Sequence, residues 1–103
     1  MEGNAAGGLA FQDGVRAIIK RSVMANNDVG VESDNGAQTN VDDCVISGSS
    51  NVALFTSLGF LWVSNSDIVH NVTVASGGWL TFGNNRIKGN DAAGSVPVAA
   101  VQE

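Results

Sequence analysis

The sequence predicts an all-β parallel solenoid of about four short coils, forming a single domain over residues 1–103. Three observations carry that prediction. Four segments align without a gap at offsets of 22, 22 and 19 residues: AIIKRSVMANN (Ala17 to Asn27), TNVDDCVISGS (Thr39 to Ser49), LWVSNSDIVHN (Leu61 to Asn71) and LTFGNNRIKGN (Leu80 to Asn90). The columns are chemically coherent. Ala17, Thr39, Leu61 and Leu80 share one, and Ile19, Val41, Val63 and Phe82 the next apolar one. Ser22, Cys44, Ser66 and Asn85 form a small polar column, and Met24, Ile46, Ile68 and Ile87 a second apolar one. Within each segment apolar residues sit two apart, stop at a polar pair, and resume two apart. That is strand alternation with a bend, where a helix would need spacings of three and four.

Taken in order, the coils run over about residues 4–26, 27–48, 49–70 and 71–89, with 90–103 a terminal strand or cap. The turn GNAAGG opens the first and leads to an alternating strand at Leu9 to Phe11. The bends fall at Lys20-Arg21, Asp42-Asp43, Ser64-Asn65 and Gly83-Asn84. A turn follows each ladder segment, with Asn4, Asn27, Ser49, Asn71 and Asn90 in one phase of the repeat. Further strands are expected around Val29 to Ser33, Val52 to Thr56 and Val72 to Ala75. Asn35-Gly36 suits a turn needing positive φ. Several short strands per unit of about 22 residues, repeated in register, are the mark of stacked coils. An antiparallel sandwich would not require equivalent residues to recur at a fixed offset.

Composition fits. Thirteen Gly and abundant Asn, Ser and Val supply turns and strands, while charged residues make up only 15%. The net charge of −5 argues against a nucleic-acid partner, which needs a basic stripe. Arg16, Lys20 and Arg21 read as a solvated strand edge. No stretch is long and apolar enough for a membrane span, and Met1 to Gly8 lacks the basic and apolar regions of a signal peptide. The chain is expected to be soluble, its compartment undetermined.

The ladders are expected to supply the driving force, each large apolar side chain contributing about 1.5–3 kcal/mol on full burial. The Ser22, Cys44, Ser66, Asn85 column must find partners if buried. Lys20 should stack over Asp42 and Arg21 over Asp43 as exposed pairs of small energetic worth. Cys44 reads as a small filler, since the one histidine, His70, falls in a turn column with Asn26, Gly48 and Gly89. A single cysteine also excludes an internal disulfide and a Cys-rich zinc site. Trp62 and Trp79 are the residues suited to stacking on a sugar, with Trp62 pointing outward between inward Leu61 and Val63. Asn71-Val72-Thr73 matches a glycosylation acceptor.

The segments VDDCVISGSSN, VSNSDIVHN and FGNNRIKGN resemble the coils of the pectate-lyase-like superfamily, including its NosD-type members, over residues 15 to 91. The resemblance implies a single-stranded, right-handed parallel β-helix. It also implies a possible polysaccharide partner and a bacterial extracellular or periplasmic parent. Lyases of that group hold calcium on Asp and Glu beside a basic residue, and its hydrolases use sets of Asp. Asp42, Asp43, Asp67, Arg21 and Arg86 lie on or near the outside of neighbouring coils, but no catalytic motif matches residue for residue. No catalytic, metal or cofactor site is therefore expected. The expected function is a non-catalytic structural or interaction module, a homo-oligomer or assembly component joined through open coil ends or an apolar side. The alternative is a carbohydrate-binding or polysaccharide-active β-helix, or a fragment of one.

Overall fold

The computed structural model describes residues 9–94 and 98–99, and within them every regular element is a strand. The strands are β1 (Leu9–Phe11), β2 (Arg16–Lys20), β3 (Val23–Ala25), β4 (Val29–Asp34), β5 (Gln38–Asp42), β6 (Val45–Ser47) and β7 (Val52–Ser57). There follow β8 (Phe60–Ser64), β9 (Asp67–Val69), β10 (Thr73–Ser76), β11 (Leu80–Thr81), β12 (Arg86–Lys88), β13 (Ala92–Gly94) and β14 (Val98–Ala99). Successive strands turn corners rather than forming hairpins, and each third strand returns beside the first. Three parallel sheets result, ordered β1-β4-β7-β10-β13, β14-β11-β8-β5-β2 and β12-β9-β6-β3. This is a parallel β-solenoid of about four coils.

The register follows the columns through three coils. Ala17 pairs with Thr39 and Thr39 with Leu61; Ile19 pairs with Val41 and Val41 with Val63. Met24, Ile46, Ile68 and Ile87 form one unbroken column. The expected strands at 29–33, 52–56 and 72–75 are β4, β7 and β10. Asn4, the GNAAGG turn and residues 95–97 lie outside the described residues.

The polar pairs do bend the chain. Arg21, Asp43, Asn65 and Gly83 all have positive φ, one per coil, so a single left-handed residue turns the second sheet into the third. A second such column, Asn26, Gly48, His70 and Gly89, ends the third sheet. Asn35 and Gly36 have φ of 49° and 80°, and Ala37 N–H donates to the Asp34 carbonyl at 3.0 Å, closing a primed turn.

The fourth coil departs from the expected register. Leu80 pairs with Trp62 and Thr81 with Val63, one residue out of the sequence alignment. Trp79 therefore takes the place beside Leu61, and it is only 2% exposed. The larger apolar group goes inward because more area leaves water. The third sheet then regains the expected offset, with Ile87 on Ile68.

The interior holds Ile19, Met24, Val31, Val41, Ile46, Leu54, Leu61, Val63, Ile68, Val74 and Trp79. Gly30 lies against it, where a Cβ would sit 2.5 Å from both the Ala53 carbonyl oxygen and Ile46 Cγ2. The small polar column, buried at Cys44 and Ser66 and half-buried at Ser22 and Asn85, is satisfied at the bends. The Cys44 thiol donates to the Ile19 and Asp42 carbonyls at 3.4 and 3.2 Å, Ser66 Oγ accepts Cys44 N–H at 3.2 Å, and Asn85 Oδ1 accepts Ser66 N–H at 2.9 Å.

Candidate interaction surfaces

Alternation along β8 sends Leu61 and Val63 into the core and leaves Phe60, Trp62 and Ser64 on the outer face. The Phe60 and Trp62 rings stack on one another, with centroids 5.8 Å apart and planes 17° apart. Gln38 and Asn40 lie beside them one coil earlier, Leu80 beside Trp62 one coil later, and exposed Ile18 two coils back. Leu58 stands at the adjoining corner, 84% exposed and held at φ 61°. Sequence alternation revealed Trp62 as outward. It did not reveal Phe60 as its partner, although the i, i+2 spacing carries that signal. Trp79 is withdrawn from the candidate sugar-stacking residues because it lies in the core.

The second surface is the end of the coil at β12 and β13. Met24, Ile46 and Ile68 are fully buried, whereas Ile87, the last residue of their column, is 43% exposed. Arg86 and Lys88 flank it, also exposed. A shallow groove of about 190 Å³ runs past Val74, Ile87, Gly89, Asn90, Ala92 and Ala93. Another groove, about 370 Å³, lies over Val52, Phe55, Thr73 and Ser76; its lining has no titratable side chain.

The charged candidates are placed as follows. Lys20 pairs in register with Asp42, as expected, but their side chains form no ion pair. Asp42 instead accepts from Ser64 Oγ and Asn65 Nδ2, both at 3.1 Å, and these bonds hold its carboxyl below the usual range. The bonds reach forward one coil and leave the basic pair to solvent. Arg21 and Asp43 stand at left-handed corners on successive coils. Among the described residues the one ion pair is Arg86 with Asp67, at 3.1 Å. No group of three or more potential metal ligands occurs among them. Cys44 is buried and bonded to backbone, while His70 is exposed at a corner. Asn71 is buried in a hydrogen-bonded ladder, so its amide is not available as a glycosylation acceptor in the folded chain.

One acidic pair escaped sequence reading. Glu32 and Asp34 lie two apart on β4, and Asp34 is only 7% exposed. Its Oδ1 is buried with no hydrogen-bond partner. The bond to Asp34, then burial, then the Asp34 charge push the Glu32 carboxyl up to about 7. Strand parity marks both residues as outward, and nothing in the sequence shows that the corner covers Asp34.

No helix among the described residues is long and apolar enough to cross a membrane. The chain matches no family model, no curated protein and no solved structure. Fold and surfaces together define a parallel β-solenoid repeat protein, with a stacked aromatic pair on one side and, among the described residues, an apolar ladder that ends on the half-exposed Ile87.

Proposed function

We propose that the protein is a non-catalytic interaction module that packs into a larger assembly through its open end. One observation carries this reading: a column fully buried at Met24, Ile46 and Ile68 ends on Ile87 at 43% exposure, on an edge strand. Among the described residues no strand pairs with the outer edge of β12, and such an edge beside a half-covered isoleucine is a template for another layer. Two such ends meeting in an antiparallel dimer would set Arg86 against Lys88 of the other copy, so self-association is weak and strengthens as salt screens the repulsion. Light scattering across concentration and ionic strength tests this. Salt-enhanced association, abolished by Ile87→Lys, is expected. A monomer at millimolar concentration in every salt would sink the proposal.

A second reading, carbohydrate binding, draws on the Phe60–Trp62 stack beside Gln38 and Asn40. Aromatic rings next to carboxamides suit the apolar faces and hydroxyls of a sugar. The resemblance of the coils to right-handed pectate-lyase-like helices points the same way as analogy of fold. Retardation in gels containing soluble acidic or neutral polysaccharide, lost in Trp62→Ala and kept in Ile87→Lys, is the expected outcome for that reading. Equal mobility with and without polysaccharide removes it.

A further inference from the structure

The geometry points to an extended strand of a partner protein as the occupant of the open end, laid parallel on β12. Acidic residues stand opposite Arg86 and Lys88, and a branched apolar residue stands opposite Ile87. This deepens the interaction reading above, rests on it, and names the partner's chemistry.

The columns of the third sheet supply the argument. Register stacks Val23, Val45, Asp67 and Arg86 in one line, Met24, Ile46, Ile68 and Ile87 in the next, and Ala25, Ser47, Val69 and Lys88 in the third. The first line becomes charged at Asp67 and reverses sign at Arg86, with an ion pair of 3.1 Å between them. Continuing the alternation places an acid over Arg86, because like charges directly opposite are destabilising. Lys88 has no ion pair among the described residues. It points to the same face as Arg86, so a second acid belongs over it. Between them the half-exposed Ile87 takes a residue like its own column neighbours.

The turn after the third sheet adds a further requirement. Asn71 Oδ1 accepts the N–H of Ser49, and Asn90 Oδ1 accepts that of Asn71, at 2.9 and 2.8 Å. Each side-chain oxygen caps the coil before it, so an Asn two residues beyond the second acid would cap Asn90 in turn. The first coil of another copy of this chain does not answer the description. Its Met24 is already fully buried, its strand β3 carries no acid, and Arg16, Lys20 and Arg21 stand nearby.

The test is a titration of the isotope-labelled full chain, followed by amide chemical shifts. The probe is a synthetic peptide with acid–isoleucine–acid–glycine–asparagine at its centre. Shifts confined to Arg86–Lys88, Asn90 and 92–94, weakening at high salt, are expected. The lysine–isoleucine–lysine version should bind at least tenfold less tightly, and the double variant Arg86→Glu with Lys88→Glu should reverse that preference. Equal binding of both peptides, shifts elsewhere, or no shifts would overturn the inference. Should Ile87-dependent self-association persist when the peptide fails, the interaction reading stands and only the partner's chemistry falls.

Discussion

Asn71 Oδ1 accepts the backbone N–H of Ser49, one coil earlier, at 2.9 Å. Its amide also donates to the Ile46 and Val69 carbonyls at 3.0 and 3.2 Å, so one buried carboxamide closes a turn and joins two coils. Asn71→Ala leaves the Ser49 N–H and the Ile46 carbonyl without those partners inside the protein. Burying an unsatisfied group costs about 1–3 kcal/mol each. Urea denaturation should show a loss of at least about 2 kcal/mol with an unchanged slope. A loss below half a kcal/mol would mean that water replaces the carboxamide.

The same column is imperfect at Ser49, whose hydroxyl is buried without a partner. Asparagine occupies the equivalent turns at 27, 71 and 90. The amides of Asn71 and Asn90 reach the carbonyls of Ile46 and Ile68, which maps a residue 49 amide onto Met24. Ser49→Asn should therefore raise stability by about 0.5–1.5 kcal/mol, the usual net worth of an added hydrogen bond. A thermal melt unchanged or lowered would show that the turn cannot admit the longer side chain.

Gly30 and Ile46 test the core directly. A methyl at residue 30 would meet the Ala53 carbonyl, which is backbone and cannot swing away, as well as Ile46 Cγ2. Gly30→Ala should cost about 1–3 kcal/mol as overpacking, and Ile46→Ala in the same chain should not restore it. Ile46→Asp puts a charge into the fully buried column and should abolish the far-ultraviolet β signal. Retention of that signal would refute the column.

Leu58 is strained and exposed at once, at φ 61° where the preceding coil places Asn35. A left-handed backbone costs an ordinary residue about 1–2 kcal/mol. Leu58→Asn or Leu58→Gly should stabilise the fold by about 1 kcal/mol, read as a higher urea midpoint. A lower midpoint would mean that Leu58 makes contacts worth more than its strain.

The ladders were legible because stacked coils repeat chemistry at a fixed offset. Ile46 over Ile68 is visible wherever the offset is constant. The reading failed where coil length changes. Leu80 and Trp79 are both apolar neighbours, so a one-residue slip leaves the pattern intact on paper and exchanges inward for outward in space. The binding surfaces were less legible. Trp62 declared itself by alternation, but the openness of the end at Ile87 depends on what covers a column, and no residue type encodes that. Glu32 and Asp34 do not stand out in the sequence, because the cover over Asp34 comes from the corner at Leu58 and Gly59, brought beside it by a bridge across the coil.

That acidic pair gives stability a pH dependence of unusual sign. The folded chain holds the Glu32 proton up to about 7, above its ordinary 4.5, so between those values the folded state binds more protons than the unfolded one. Stability from this group is fully present below about 4.5 and is lost as pH rises through about 7. Asp42 works in the opposite direction, but its carboxyl is held below its ordinary 3.8, so its contribution falls away only in stronger acid. No charged side chain comes from β1 or β7, the strands flanking β4, so no cation offsets the second charge. The melting temperature should fall from pH 5 to pH 8, and Glu32→Gln, which keeps a donor for the Asp34 carboxyl at every pH, should flatten the decline. Asp34→Asn should flatten it too, by removing the charge that holds the proton. A melting temperature that rises over this range in the natural sequence, or an identical fall in Glu32→Gln, would show that the pair is not the group that titrates.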